Sequence, residues 1–158
     1  MASRRSAGLL LYRHRDGRLE VLIAHMGGPF WTAKDARAWS IPKGEYDHDE
    51  SPLAAARREF EEELGVPVPP GDMLDLGEVR QSGGKTVTAF AVETDLDPDT
   101  IVPGTFDLEW PPRSGRMQAF PETDRVAWFD LDTAAGKLVQ GQVTFLERLT
   151  AALGQGLR

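Results

Sequence analysis

The sequence has no cysteine among its 158 residues. That excludes disulfides, thiolate metal sites and cysteine nucleophiles, and it is compatible with a reducing compartment. Histidine is nearly as scarce. His14, His25 and His48 are too scattered for a histidine metal cluster. Basic charge is outweighed, with 18 Lys and Arg against 25 Asp and Glu and a formal net charge of −7. A basic face broad enough for polymeric nucleic acid is therefore not expected, although a small basic pocket is compatible with this balance. No window approaches the ~20 apolar residues of a membrane span. The start, residues 1–12, mimics a signal peptide, but its apolar run is too short for the hydrophobic region of one, and Arg13, His14 and Arg15 end it at once. There is no Gly-x4-Gly-Lys-[Ser/Thr] phosphate loop and no Gly-x-Ser-x-Gly nucleophile elbow. A cytoplasmic, soluble protein with no membrane or nucleic-acid polymer as partner is expected.

What is present is ordinary globular composition, with 41% hydrophobic and 27% charged residues. The length fits one domain over residues 1–158, large enough to bury roughly 70% of its unfolded surface without a staple. Residues 7–12 read as a buried strand. Asp16-Gly17 and the alternation of Leu19, Val21 and Ile23 then signal a hairpin. Residues 30–39 read as loop. Residues 74–80 and 85–92 read as strands around Ser82-Gly83-Gly84, with further short strands at 106–110 and 126–129 and irregular chain at 111–121. Val143, Leu146, Leu149 and Leu153 mark a final amphipathic helix. Strands with helices between and after them predict an α/β fold, a mixed sheet packed by helices.

The clearest helix opens at Ser51-Pro52, a capping residue before a proline suited to the first helical position. Leu53, Ala56, Phe60 and Leu64 recur at helical spacing, and Gly65 and Pro67 close it. Eight of the 25 acids fall between Gly44 and Gly65. Glu59, Glu62 and Glu63 span about a quarter-turn beside the apolar face. Such crowding destabilises an isolated helix, and a divalent cation reverses the penalty. Oxygen-only donors favour Mg²⁺, Mn²⁺ or Ca²⁺ over zinc. A solvated acidic face is the alternative. An EF-hand at Asp47-x-Asp49 fails, because Pro52 stands where its loop needs glycine.

The register of the whole segment goes further. Gly44, five residues, Glu50, seven residues, then Arg58-Glu59-Phe60-Glu61-Glu62-Glu63-Leu64-Gly65-Val66 resembles the Nudix box, Gly-x5-Glu-x7-Arg-Glu-apolar-x-Glu-Glu-x-Gly-apolar. All seven fixed positions match. Phe60 departs from the usual aliphatic residue but still packs. The lead-in Trp39-Ser-Ile-Pro-Lys-Gly44 is also similar to the family's. The resemblance implies an α/β/α sandwich and a Mg²⁺- or Mn²⁺-dependent hydrolase, in which a metal-activated water cleaves a phosphoanhydride of a nucleoside diphosphate-linked substrate. The lead-in inclines the choice to a nucleoside triphosphate or dinucleoside polyphosphate. A nucleotide sugar or related derivative is an alternative, as is a catalytically silent nucleotide-binding module.

By motif position, the resemblance makes Glu59, Glu62 and Glu63 metal ligands, with the Gly44 carbonyl added. Arg58 orients a ligand glutamate and Glu50 is an outer acid. Outside the box, Glu122 is the expected loop acid acting on water, with Glu109 as its rival. Lys43, Arg80, Lys85, Arg113 and Arg116 are candidate phosphate contacts, Lys43 foremost because it adjoins the box. Trp31 and Trp110 are candidates for stacking a base, while Trp39 is expected to pack.

Overall fold

The computed structural model describes residues 4–154. β1 (Arg5–Arg15) and β2 (Arg18–Met26) form the expected hairpin. Asp16 and Gly17 turn it with φ of 52° and 79°, the two positive values a type I′ turn needs to match strand twist. The apolar run of β1 is buried on both faces. Leu9 and Leu11 enter one core, Leu10 and Tyr12 the other, because successive strand side chains point opposite ways.

β1 pairs in parallel with β6 (Thr86–Glu93), which pairs antiparallel with β5 (Leu74–Arg80). On the far side, β9 (Thr123–Asp130) lies antiparallel to β2. The sheet is mixed and seven-stranded among the described residues. α1 (Pro52–Leu64) covers one face through Ala55, Ala56, Phe60 and Leu64. α2 (Leu131–Lys137) and α3 (Val143–Ala152) cover the other through Ala134, Phe145, Leu146 and Leu149. This is the α/β/α sandwich.

A fork in this sheet positions the site. β1 pairs with β2 only from Leu11 onward, whereas its residues 6–8 pair with β4 (Lys43–Glu45). Beyond Leu22, β2 instead meets β3 (Trp39–Ser40), with Ala24 opposite Ser40. Residues 39–45 therefore wedge between two diverging strands.

The termini of α1 behave as their residues dictate. The Ser51 side chain accepts from the Ala54 N–H at 3.1 Å, and Gly65 adopts φ 68° while donating to the Glu61 carbonyl at 2.8 Å. Two expectations need correction. The stretch 111–121 is not wholly irregular: Met117–Pro121 forms β8, paired with β7 (Thr105–Glu109) in a separate two-stranded ribbon. Its side chains are mostly exposed, so it carries no burial alternation to read. α2 was not anticipated. It is seven residues long, buries only Ala134, and is started by the Asp130 carboxylate, which accepts from the Thr133 N–H at 2.8 Å. No helix among the described residues is long and apolar enough to cross a membrane.

Candidate active site

The fork, the acidic edge of α1 and the root of the β7–β8 ribbon enclose a cavity of about 270 Å³, lined by Lys43, Glu63, Phe106, Glu122 and Thr123 with Ala24, Met26 and Ser40. Because Phe60 and Leu64 are fully buried, the helix cannot rotate, and the edge carrying Glu59, Glu62 and Glu63 is fixed toward β4 and the ribbon.

Arg58 organises that edge. Its Nε and Nη2 donate to Glu50 Oε2 and Oε1 at 2.9 and 2.8 Å, a two-point clamp. Its Nη1 donates to Glu59 Oε2 at 2.7 Å and more loosely to Glu62 at 3.3 Å. These bonds raise the Arg58 pKa, led by Glu50, and the bond from Arg58 holds Glu50 below the usual carboxylate range. The Glu59 carboxylate lies against the Cα of Gly44, in the space a Cβ there would occupy. Glycine at 44 is thus a packing requirement of the carboxylate above it.

Glu63 projects inward. Burial pushes its pKa up to about 7; the ammonium of Lys43 opposes this, the charge of Glu122 adds to it, and hydrogen bonds from Thr123 and the Lys43 backbone oppose it again. Burial likewise lowers Lys43, against the pull of Glu63. Glu122 is raised by partial desolvation and then by the charges of Glu59 and Glu62. Four carboxylates thus repel one another around one opening.

Glu122 is placed by its backbone. Its N–H donates to the Gly104 carbonyl at 2.8 Å, and its own carbonyl accepts from the Gly27 N–H at 3.1 Å. Gly104 in turn donates to the Glu63 carbonyl at 3.3 Å. The Pro121 carbonyl fills the position a Cβ on Gly27 would take. The corner is therefore tied to both the helix and the 27–28 turn. Glu109, the rival, sits at the other end of β7, where its Oε2 accepts from the Gly115 N–H at 2.7 Å.

The donor set suits a hard cation. It is all oxygen and it is in mutual repulsion. No three acidic or histidine side chains among the described residues converge in a ready cage. That is compatible with Mg²⁺, which takes one or two carboxylates and completes its shell with waters and substrate phosphates. Glu59, Glu62 and Glu63, with the Gly44 carbonyl, are the groups that the motif resemblance would assign to it.

A family model for the NUDIX domain matches residues 2–149. The chain belongs to the Nudix family. It is 40% identical over 63 residues to an RNA pyrophosphohydrolase of Bartonella henselae, covering 40% of this chain and 36% of that protein. It is 33% identical over 114 residues to an octanoyltransferase of Myxococcus xanthus, covering 72% of this chain and 29% of that one. The matches thus span about a third of these curated relatives. Among solved structures, a C. elegans Ap4A hydrolase binary complex superposes with a TM-score of 0.66 at 21% identity, over 95% of this chain and 97% of that one. That likeness is one of fold.

In this Nudix chain the residues singled out from sequence separate into two groups. Lys43, Gly44, Glu59, Glu62, Glu63, Arg58 and Glu122 come together around the fork. Arg113 and Arg116 lie exposed on the turn at the ribbon's far end. Trp31 packs against the α2–α3 core, with the Lys34 ammonium 5.3 Å from its ring, and does not line the cavity. Trp39 is buried, and its Nε1 donates to Asp35 at 2.9 Å. Sequence reasoning missed Ser40 and Thr123 in the cavity wall, although both adjoin residues it did name. It also missed Gln142. Fully buried, Gln142 accepts from the Ile41 N–H at 2.9 Å and donates to Ser40 Oγ at 3.0 Å and to Gln81 Oε1 at 3.2 Å. A single glutamine ahead of an amphipathic helix carries no sequence signal for that role.

Proposed function

We propose that this Nudix protein is a divalent metal-dependent pyrophosphohydrolase that cleaves a phosphoanhydride of a nucleotide, a nucleoside triphosphate or dinucleoside polyphosphate, by attack of water. The observation that carries this reading is that the helix glutamate Glu63, the corner acid Glu122 and the half-buried Lys43 line one cavity, with Glu59 and Glu62 near enough for their charges to act on Glu122. An acidic opening on a chain of net charge −7 repels a polyphosphate unless cations lie between them. Mg²⁺ or Mn²⁺, held by Glu59, Glu62, Glu63 and the Gly44 carbonyl, supplies polarisation of phosphoryl oxygens and a lowered pKa for the attacking water.

The chain's own residues do the rest. Arg58, clamped by Glu50, holds Glu59 in its ligating direction. The Lys43 ammonium neutralises a phosphate oxygen beside Glu63. Glu122 reaches over the opening and takes the proton from the attacking water, a task suited to a carboxylate whose pKa stands above its usual value. Positioning and charge stabilisation account for most of the rate in such reactions. The test is release of phosphate or pyrophosphate from a mixed nucleotide panel with Mg²⁺ and then with chelator. Turnover that chelator abolishes is expected. Nucleotide binding without turnover across the panel would overturn the reading in favour of a silent binding module.

A further inference from the structure

We infer that His25 and Asp124 are a pair of positioning residues: by pinning an extra residue in β9, they aim Thr123 and the Glu122 corner into the cavity. This rests on the reading of the cavity as a pyrophosphohydrolase site and adds to it two residues that do not line the cavity.

His25 is fully buried, whereas His14 and His48 are exposed. Its Nδ1 donates to Asp124 Oδ1 and Oδ2, both at 3.0 Å, and its Nε2 donates to the Lys34 carbonyl at 2.6 Å. Both partners are acceptors, so the ring serves them together only with a proton on each nitrogen. Its edge meets Trp39, with centroids 5.1 Å apart at 75°. Asp124 reaches solvent, and its other contact is a looser one, from Arg125 Nη1 at 3.3 Å. The imidazole is thus a fixed post, and the carboxylate is the movable partner held to it.

What the post holds is a β-bulge. Along the β2–β9 pairing, Leu22 faces Trp128, Ile23 faces Ala127, Ala24 faces Val126 and His25 faces Arg125. The next pair is Met26 with Thr123, so Asp124 has no residue opposite it. Before the bulge the faces are in step. Leu22, Ala24, Val126 and Trp128 lie toward α1, Ile23 and Ala127 toward α2 and α3. Strict alternation would then set Asp124 opposite Met26, in the cavity wall, and turn Thr123 to the other face. The extra residue reverses that phase. Met26 and Thr123 both line the cavity, and Asp124 is taken up by His25. Glu122 follows from the same step, because its carbonyl accepts from Gly27, the residue after Met26, at 3.1 Å.

A slip of one residue would bring a further carboxylate into an opening where four already repel, and would remove the Thr123 hydrogen bond to Glu63. The pair therefore decides which side chains the corner offers to the site. The same stretch of β2 also fastens the preceding loop, since the Met26 N–H donates to the Ala38 carbonyl at 3.0 Å beside the His25 bond to Lys34.

Asp124 is the residue to change, because it lies at the surface and its truncation leaves the core filled. Asp124→Ala removes the acceptor, whereas Asp124→Asn keeps an acceptor oxygen for Nδ1. Hydrolysis of the best nucleotide is followed against substrate and Mg²⁺ concentration, with a thermal melt in parallel. Asp124→Ala should lower kcat about 10²-fold, the scale of a misplaced group near the chemistry. Its KM and half-saturating Mg²⁺ should stay within about threefold of the parent, because the α1 glutamates do not move. Asp124→Asn should restore most of kcat. His25→Gln, which keeps a donor toward Lys34 alone, should lose kcat as Asp124→Ala does, and the double variant should lose little more. Three results would each overturn the positioning role and leave the pyrophosphohydrolase reading standing: a normal kcat in Asp124→Ala whatever its Tm, no rescue by asparagine, or additive losses in the double variant. A parent without Mg²⁺-dependent turnover would overturn both.

Discussion

At the scale of single residues, Gly44 separates a positioning effect from a folding effect. Its Cα faces the Glu59 carboxylate at contact distance, and the carboxylate is the movable partner. Gly44→Ala should displace Glu59 from Arg58 while leaving β4 paired with β1. Loss of an orienting contact of this kind costs about 10- to 100-fold in activity or metal affinity. Kinetics in parallel with a thermal melt will check it: a fall in kcat with a nearly unchanged Tm is expected. Glu122 provides the second residue-scale comparison. Glu122→Gln should lower kcat strongly with Mg²⁺ affinity nearly unchanged, and Glu109→Gln should do less, because Glu109 is spent on the Gly115 turn. A larger loss from Glu109→Gln would reverse the assignment. Much at this scale was legible in the sequence, because box residues are specified by spacing along one helix. Thr123, Ser40 and Gln142 were not, since chain elements far apart in sequence bring them to the cavity.

Elements decide how firmly the site is held. α1 is anchored by Phe60, and β4 by its pairing with β1. The turn between β3 and β4 hangs on Gln142, which satisfies the Ile41 N–H and Ser40 across 101 and 102 positions of sequence. Removing that side chain leaves buried polar groups unpaired, at a cost of about 1–3 kcal/mol. Gln142→Ala should therefore lower Tm by several degrees, about 2–4 °C per kcal/mol at this size, as calorimetry would show. KM should rise as well, because Lys43 follows the same turn. An unchanged Tm would mean the network contributes nothing. The two elements hardest to read, β8 and α2, share a physical cause. Each buries little, so hydrophobic periodicity, the main signal for helix and strand, is missing there. β1, buried on both faces, and α1, capped at both ends, were read correctly for the opposite reason.

Across the whole molecule, electrostatics sets the acid limit of stability. Asp35 binds Lys137 Nζ at 2.6 Å and Trp39 Nε1 at 2.9 Å, tying the 31–38 loop to α2, and these bonds, led by Lys137, lower its pKa. Asp130 is lowered by Thr133 at the start of α2. A carboxylate depressed in the folded state stabilises it above the ordinary value of 3.8 and loses that contribution as pH falls through the folded value. Tm should therefore fall below about pH 4 on account of these groups, while Glu63, pushed up to about 7 by burial, adds an opposite decline as pH rises towards 7. Asp35→Asn should shallow that fall, and 1 M salt should blunt the difference because the Lys137–Asp35 pair lies at the surface. An acid limb identical in the variant and the parent would show that the tie is inert.

The same charge distribution gathers carboxylates where a cation and a polyphosphate would meet, so removing one charge there, with shape kept, tests the account most directly. The decisive measurement is kcat for Mg²⁺-dependent release of phosphate or pyrophosphate from the best nucleotide of the panel, in the parent, Glu62→Gln and Glu63→Gln. Both variants should fold, since repulsion is relieved, and both should lose at least about 10²-fold, the scale of one electrostatic stabiliser. Activity in both within about threefold of the parent would contradict a mechanism built on these carboxylates.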